Sequence, residues 1–532
     1  MASELVQSSE EVGAAGQKGL KTGALGFVSN VVIGVASTAP AYSLAVSLGL
    51  VVAAVGLSAP AIMWLAFIPM LFIAISYYYM NRADPDCGTS FTWVTRAMGP
   101  HLGWMTGWVI IVADVVVMAS LAEIAAQYTF SLFGIDVVTN PVMPVDINGQ
   151  TVDIAVMALG VLFVAALTWI CYRGIELSAR TQVVLLAIEL IALAVFATVA
   201  LVRVYTDPPA GAILPSLEWL NPLTIVGEDG AFSPSGLAAG LVIALFIYWG
   251  WDTTATVNEE SANPTEQPGR ATIVSTLILV ATYVIVSIAA QAWAGVDRLA
   301  NAGESDIFAT MANEVLGSPL DKILILAVLT SAAASTQTTI LPTARTALSM
   351  GAKGALPKMW ARVHPRFQTP TNATIWMGVL SVVFYIALKV VSENVYYDAL
   401  AALGLMIAFY YGLTGYACAL YYRHQLLHSA RDFLLMGVLP VLGGLSLTWA
   451  FVQSTMDLAD PANSYSGVSW FGVSVPLAIT IASVVLGLVL MVLWWIRDPS
   501  FFRRRPETYH SDVPSTPAPT LRPATGHGSA GH

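Results

Sequence analysis

Along the chain, long apolar runs alternate with short polar stretches. The runs fall near residues 24–55, 60–80, 102–133, 152–172, 178–204, 236–260, 270–294, 318–350, 371–390, 398–422, 432–453 and 468–496. About 20 consecutive apolar residues cross the hydrocarbon core of a bilayer as a helix. The pattern therefore predicts an all-α polytopic membrane protein with twelve transmembrane helices. Runs 24–55 and 102–133 are long enough to tilt or to contain a break. A transmembrane β-barrel alternates polar and apolar residues along each strand, and these continuous runs do not.

The basic residues test that division. With the first residues inside, one membrane face holds 19 of the 23 Lys and Arg side chains, and the other holds only Arg203, Arg298, Lys322 and Lys389. Positive charge is retained in the cytoplasm, so both termini are expected there, with the protein in the plasma membrane. A missed or extra crossing would reverse every later loop and spoil the split. The outward loops are acidic, with Asp136, Asp146, Glu218, Glu228, Asp297 and Glu314 among others.

Composition agrees. Of 532 residues, 56% are hydrophobic and 11% charged, against about 25% charged in soluble domains. The net charge of −10 and the absence of a basic stripe give nucleic-acid binding no support. Cys87, Cys171 and Cys418 are scattered and form no metal or disulfide pattern. The chain divides into a cytoplasmic N-terminal tail (1–22), two five-span halves (23–210 and 211–425), two further spans (426–497) and a tail (498–532). In that tail Arg503–Arg505 favour anionic lipid headgroups, and residues 510–532 read as disordered.

Two spans break the rules for membrane helices at corresponding places. In span one, Gly34, Ser37 and Thr38 precede Pro40, with Tyr42 and Ser43 following. Proline removes a backbone donor and clashes with the preceding turn. In span six, Phe246-Ile-Tyr248-Trp249-Gly250-Trp251-Asp252 runs into Thr253-Thr254-Ala-Thr256. Glycines there could simply permit close helix packing, but packing explains neither Pro40 nor the polar cluster after Gly250. Spans one and six are five apart, the pattern of inverted five-helix repeats that each open with a broken helix. Free N–H groups at a half-helix start attract a carboxylate, and free carbonyls at a half-helix end attract an ammonium.

With these residues in view, the sequence resembles the amino acid–polyamine–organocation transporter superfamily over roughly residues 20–460. Phe246–Asp252 followed by Glu259-Glu260-Ser-Ala-Asn263-Pro264 is similar to that family's sixth-helix signature. Pro85–Trp93 with Gly99, Gly103 and Gly107 resembles its second-to-third helix loop. Gly174–Arg180 resembles the start of its fifth helix, and Lys353–Pro357 with Thr369-Pro370 the loop after its eighth. The resemblance implies a leucine-transporter-like fold, five plus five inverted helices with two more appended. It also implies a substrate site at the two breaks: Gly34, Ser37, Thr38, Tyr42, Asp114, Phe246, Tyr248, Trp249, Gly250 and Trp251. Family members often carry Gly-x-Gly at the first break; here only Gly34 is present, and the Ser37 and Thr38 hydroxyls stand in as donors.

Four acids fall within spans: Asp114, Glu123, Glu189 and Asp252. A lone charge at membrane depth costs about 2.5–3.5 kcal/mol on insertion scales, so such residues line cavities, pair or take up a proton. No Lys or Arg is expected deep in a span to pair with them. Glu189 falls where, by the resemblance, many proton-linked relatives carry a lysine. It is read as the coupling residue, with a hydrogen-bonded carboxyl that never titrates as the alternative. Asp114 and Glu123 are nine residues apart and point to opposite faces of span three. Asp114 is the cavity candidate, and Glu123 equally suits a helix contact. Asp252 either braces the unwound segment or touches the ligand, and Glu259 is assigned to gating. Ser331, Ser335 and Thr339 share one face of span eight. They complete a sodium site or bond i−4 carbonyls. Tyr42, Phe246, Tyr248, Trp249, Trp251 and Tyr283 are candidate aromatic walls.

No GxxxxGK[ST] loop or Cys/His/Asp cluster points to an ATPase or other enzyme. The expected function is a secondary transporter, a permease for an amino acid or related amine working by alternating access. No cofactor is expected; a proton gradient, or alternatively sodium, would drive it. An exchanger of cationic amines or polyamines is the alternative within transport, and a non-transporting nutrient sensor the alternative outside it. The expected partners are the small-molecule substrate and the bilayer, with no nucleic acid, in a monomer or homodimer.

Overall fold

A computed structural model of the protein describes residues 18–147, 150–225, 232–302, 307–391, 395–464 and 466–508. The disorder expected from residue 510 onward, and the loop acid Glu228, lie outside the described residues. Among the described residues, ten helical stretches are long and apolar enough to cross a membrane. The first, Phe27–Ala83, is three helices in series: α1 (Phe27–Ser37), α2 (Pro40–Val55) and α3 (Ala59–Ala83). Short α4 (Ser90–Met98) leads into α5 (Pro100–Leu132), which is continuous over its 33 residues and holds no break. Then come α6 (Ile154–Arg173), α7 (Ile175–Thr206), α8 (Pro234–Ile247) and the four-residue α9 (Thr253–Thr256). They are followed by α10 (Gln267–Ala294), α11 (Val296–Ala302), α12 (Ile307–Leu316), α13 (Asp321–Ala352), α14 (Thr371–Val391) and α15 (Val395–Tyr421). A π-helical turn (Phe433–Val438) opens α16 (Leu439–Asp457), and α17 (Val475–Arg497) ends the bundle. Among the described residues, strand is confined to two antiparallel hairpins, Pro144–Ile147 with Gln150–Asp153 and Ser469–Trp470 with Val473–Ser474.

The distribution of polarity is the reverse of a soluble protein's. Leu162, Trp169, Val184, Ile191, Val383 and Val485 project outward from α6, α7, α14 and α17. A continuous apolar exterior of this kind is stable against lipid, not water. The interior carries the polar groups. Thr330, Ser331, Ser335, Thr336, Gln337 and Thr338 are all buried on α13, which lies against α5 and α7. Several of these hydroxyls return to their own helix, Thr336 to the Ala332 carbonyl (2.8 Å) and Thr338 to that of Ala334 (3.0 Å).

The expectation that no base reaches the interior of a span is wrong at two positions. Arg345 on α13 is only 2% exposed and forks onto Glu260 through Nε (2.6 Å) and Nη2 (2.8 Å). Lys389 on α14 meets Glu123 of α5 at 3.0 Å, and Tyr385 donates to the same carboxylate at 2.5 Å. Lys389 sits near the end of an apolar helix, and a four-carbon stem lets its ammonium reach inward from there. Glu123 therefore tethers α5 to α14, the helix-contact role.

Candidate substrate site at two helix breaks

The first break lies between α1 and α2. The Thr38 N–H returns to the Val35 carbonyl and that of Ala39 to Ala36, each at 3.2 Å, so α1 closes on itself. Ala39 then turns left-handed, φ 47° and ψ 66°, a conformation that costs a residue with a Cβ roughly 1–2 kcal/mol. Pro40 follows at the first position of α2, where its fixed φ suits a helix start and its missing N–H leaves no orphan. The next two donors are taken by side chains of other helices. Ala41 N–H donates to Glu189 Oε1 of α7 (2.8 Å) and Tyr42 N–H to Ser331 Oγ of α13 (3.1 Å). The Ser331 hydroxyl in turn donates to Glu189 Oε1 (2.7 Å). Glu189 Oε2 is buried without a hydrogen-bond partner.

The second break separates α8 from α9. Gly250 sits at φ 116°, where only glycine is unstrained. A Cβ there would lie 2.7 Å from the Ser37 carbonyl oxygen and 3.0 Å from Ser37 Oγ. The breaks thus face each other in direct contact. Ser37 Oγ and Thr253 Oγ1 share a hydrogen bond of 2.8 Å, and Ser335 Oγ donates to the Ser37 carbonyl at 2.9 Å.

Between the breaks lies a small cavity, about 20 Å3 as the space open to the centre of a water, enough for a single water or so. The first break contributes Ser37, Thr38, Tyr42 and Ser43 to its wall, and the second Phe246, Trp249, Gly250, Asp252 and Thr253. Asp114 comes from α5, Ser335 and Thr339 from α13, and Tyr410 from α15. Asp114 accepts from the Thr343 hydroxyl. Asp252 accepts from three phenols, Tyr411 (2.8 Å), Tyr77 (3.2 Å) and Tyr410 (3.4 Å).

Other predicted site residues stand behind this wall. Gly34 is a close-packing position, where a Cβ would meet Ser275 Oγ and Thr254 Cγ2 at 2.5 Å. Tyr248 donates to the Met63 carbonyl (2.8 Å) and packs edge-on against Tyr283. Trp251 stacks on Tyr411 and meets Tyr77 edge-on. Tyr283 donates to the Ile247 carbonyl at the end of α8 (2.6 Å). Glu189 and Ser331 grip the start of α2. The predicted site lacked the lining residues Ser43, Ile110, Val117, Thr253, Pro342 and Tyr410. Ser43 stands three residues after Pro40 and was within reach of the break argument; Tyr410 lies in an unbroken helix and carries no comparable signal.

Glu259 lies at the basic end of the bundle, away from the cavity. There Lys18 Nζ bridges Asp86 (2.8 Å) and Glu259 (2.7 Å), and Lys353 approaches Asp86 at 3.2 Å. Asp86 Oδ1 also accepts from Ser349 (2.6 Å), Gly88 N–H (2.8 Å) and Thr92 (2.9 Å). Burial opposes both charges, but the mutual attraction outweighs it. Lys18 is held well above the usual lysine range and Asp86 well below the usual carboxylate range. Asp86, Cys87 and Glu259 are close enough to one another to hold a metal ion, but the Lys18 ammonium occupies that space, 3.5 Å from Cys87 Sγ. The same segment pairs its backbone beside the second break: Leu25 N–H donates to the Glu260 carbonyl (3.0 Å), and Ala262 N–H to that of Leu25 (2.8 Å).

The family described as "Amino acid permease" matches residues 23–481. The chain belongs to the amino acid permease family. It is 25% identical over 331 residues to the branched-chain amino acid permease BcaP of Bacillus subtilis, covering 59% of this chain and 64% of that protein. The matched part is thus less than two thirds of that relative's length. It is 24% identical over 409 residues to the protein of the same name from Lactococcus lactis, covering 75% of this chain and 82% of that one. The low-affinity putrescine importer PlaP of Escherichia coli K12 is 21% identical over 386 residues, covering 72% and 78%. These relatives are permeases and importers, not enzymes. Family membership and the ten apolar stretches make this chain a multi-pass membrane protein.

Proposed function

We propose that the chain is a secondary transporter carrying an amino acid or related amine across the plasma membrane by alternating access, with both termini cytoplasmic. The observation that carries this reading is the contact of two helix breaks beside one small cavity, with Gly250 against Ser37. Breaks in spans five apart, sharing one site, suit two inverted five-helix halves with two helices appended, twelve crossings in all. The substrate would displace the small cavity's contents and lie among Ser37, Thr38, Tyr42, Asp114, Phe246, Trp249 and Gly250. Tyr248 and Trp251 would back that wall, Asp252 would brace the unwound segment through its three phenols, and Gly34 would keep α1 close to α10.

Glu189 would couple transport to protons. Ionised, it accepts charge-assisted hydrogen bonds from Ala41 N–H and Ser331, bonds about twice as strong as neutral ones. Protonation would weaken the grip of α7 and α13 on α2, so the half-helix moves more freely when the site carries a proton. Ser331 and Ser335 would transmit that movement to α13; in a sodium-coupled protein the same hydroxyls would ligate the ion. Uptake of labelled amino acids and amines into proteoliposomes under imposed pH and sodium gradients tests the proposal. Binding without accumulation under either gradient would refute transport.

A further inference from the structure

We infer that the cavity takes an amine without a carboxylate: a compound with one or more ammonium groups and no acidic group. The inference rests on the transporter reading of the site and narrows its substrate. A helix start is where a protein best holds an anion, because its first N–H groups have no partners within the helix. Among the described residues, α2 is the only helix of eight or more residues that begins at the cavity. Its start is already occupied. Pro40 has no N–H, Ala41 N–H is held by Glu189, Tyr42 N–H by Ser331, and Ser43 N–H by the Ala39 carbonyl at 2.8 Å. The protein's own carboxylate sits where a ligand's carboxylate would bind.

The side chains of the wall lead to the same conclusion from different atoms. A hydroxyl has one hydrogen and two lone pairs. The hydrogens of Thr38, Ser43 and Ser335 are spent on the carbonyls of Val35, Thr38 and Ser37, at 2.7, 2.6 and 2.9 Å. Tyr410 donates to Asp252, and the Trp249 indole N–H donates to Tyr410. What remains for a ligand from these groups is lone pairs. The lining adds two carboxylates, Asp114 and Asp252, and no Lys, Arg or His among the described residues. Asp114 is 3% exposed, and Thr343 is its one hydrogen-bond donor among the described residues. Phe246, Trp249 and Tyr42 supply aromatic faces that attract a cation. An ammonium finds hydroxyl lone pairs, two carboxyl groups and aromatic faces. A carboxylate finds neither a positive charge nor a free helix start, only the spare hydrogen of the Ser37–Thr253 pair and the Thr339 hydroxyl, and burying it with so little compensation is unfavourable.

Matched pairs that differ only by the carboxylate test this directly: cadaverine and lysine, isoamylamine and leucine, tyramine and tyrosine. Affinities come from the shift in thermal unfolding of the full-length protein in nanodiscs with each compound titrated. At least one amine should bind ten-fold or more tightly than its amino acid partner, with the order reversed in no pair. Tighter binding by the amino acid in any pair, or binding by neither member of every pair, overturns the inference. Asp114→Asn should weaken the preferred amine ten-fold or more. Glu189→Ala frees the Ala41 N–H and should narrow the ratio within that pair; an unchanged ratio overturns the assignment of Glu189 to the carboxylate's place. If neither variant folds, the pairs on the unaltered chain still decide. An amine that binds but does not accumulate in proteoliposomes refutes transport and leaves the substrate class standing.

Discussion

Replacing Gly250 with alanine adds one methyl group at the point where the two breaks touch. The methyl would lie 2.7 Å from the Ser37 carbonyl oxygen and 2.9 Å from its carbon, well inside contact distance, and the obstacle is backbone. The residue must also keep φ 116°, a conformation that costs a residue with a side chain about 1–3 kcal/mol. Overpacking adds about 1–3 kcal/mol. Together the closed arrangement loses about 2–6 kcal/mol relative to any state in which the breaks separate. At about 1.4 kcal/mol per factor of ten, the closed state becomes at least ~30-fold rarer. If transport passes through it, the initial uptake rate falls by a similar factor. The assay is uptake of the best substrate into proteoliposomes at matched protein density, with the melting temperature measured in parallel. Gly26→Ala is the control, because a Cβ there meets nothing within 4 Å. Uptake at the unaltered rate by Gly250→Ala would show that the breaks need not close on each other and would remove the basis for placing the site between them.

Glu189→Gln should abolish accumulation driven by a pH gradient while retaining substrate exchange, since the amide oxygen still accepts from Ala41 and Ser331. Uptake that follows a sodium gradient at fixed pH, and is damaged by Ser331→Ala instead, would contradict proton coupling. Lys18→Ala leaves Asp86 and Glu259 buried with less compensation and should destabilise the basic end by about 3–5 kcal/mol, read as a lower melting temperature. With Lys18 raised, its stabilisation is complete below the ordinary lysine range and is lost only as pH climbs through its higher folded value. With Asp86 lowered, its share is complete above the ordinary aspartate range and is lost only as pH falls through its lower folded value. The Lys18→Ala deficit should therefore be level toward alkaline pH, up to about pH 9, and shrink toward acid as the carboxyls that lost their partner take up protons; a deficit that grows toward acid would refute the assigned charges. Tyr385→Phe removes a donor from buried Glu123 and should cost about 1–3 kcal/mol in thermal or denaturant unfolding; no change would mean the α5–α14 tether is idle.

Helical spans and breaks were legible because both follow from local chemistry. Twenty apolar residues make a span whatever surrounds them, and Pro40 or Gly250 marks an interruption by its own geometry. Which side chains reach the cavity was less legible. Tyr248, Trp249 and Trp251 are neighbours in one aromatic run, yet only Trp249 lines the cavity. The turn at Gly250 sets which way each ring points, and that turn is fixed by Ser37 on another helix. Lys389 and Arg345 escaped notice for a related reason. Counting charge by loop places both at membrane faces, whereas their long stems carry the charge inward to Glu123 and Glu260. Lys18 lay in a stretch that composition assigns to a polar tail, and only Asp86 and Glu259, far away in sequence, make it structural.

The contacts that hold this arrangement shut differ in kind between the ends and the middle. At the basic end, Lys18 joins Asp86 to Glu259, and Arg345 forks onto Glu260, with both partners of the latter pair nearly inaccessible. Breaking a buried ion pair by removing one partner costs about 3–5 kcal/mol. In the middle, α1 is joined to α9 and α13 by neutral hydroxyl bonds, Ser37 with Thr253 and Ser335 with the Ser37 carbonyl. Each is worth about 0.5–1.5 kcal/mol and is readily exchanged for a bond to water or substrate. The breaks can therefore trade partners with little net change in energy, whereas the basic end resists opening. Glu259 and Glu260 follow α9 within four residues of Thr256, and Leu25 pairs with that stretch beside the start of α1. The two broken helices are thus bound to each other at the basic end and only loosely joined at the cavity. A motion that opens the site toward that end must either carry Lys18 with the moving pair, breaking its bond to Asp86, or leave it behind, breaking its bond to Glu259. Asp86 retains Lys353, Ser349 and Thr92 as partners, while Glu259, besides Lys18, retains only the Cys87 N–H among the described residues. The better-compensated group is the one that can be left behind, so Lys18 should move with Glu259 and separate from Asp86.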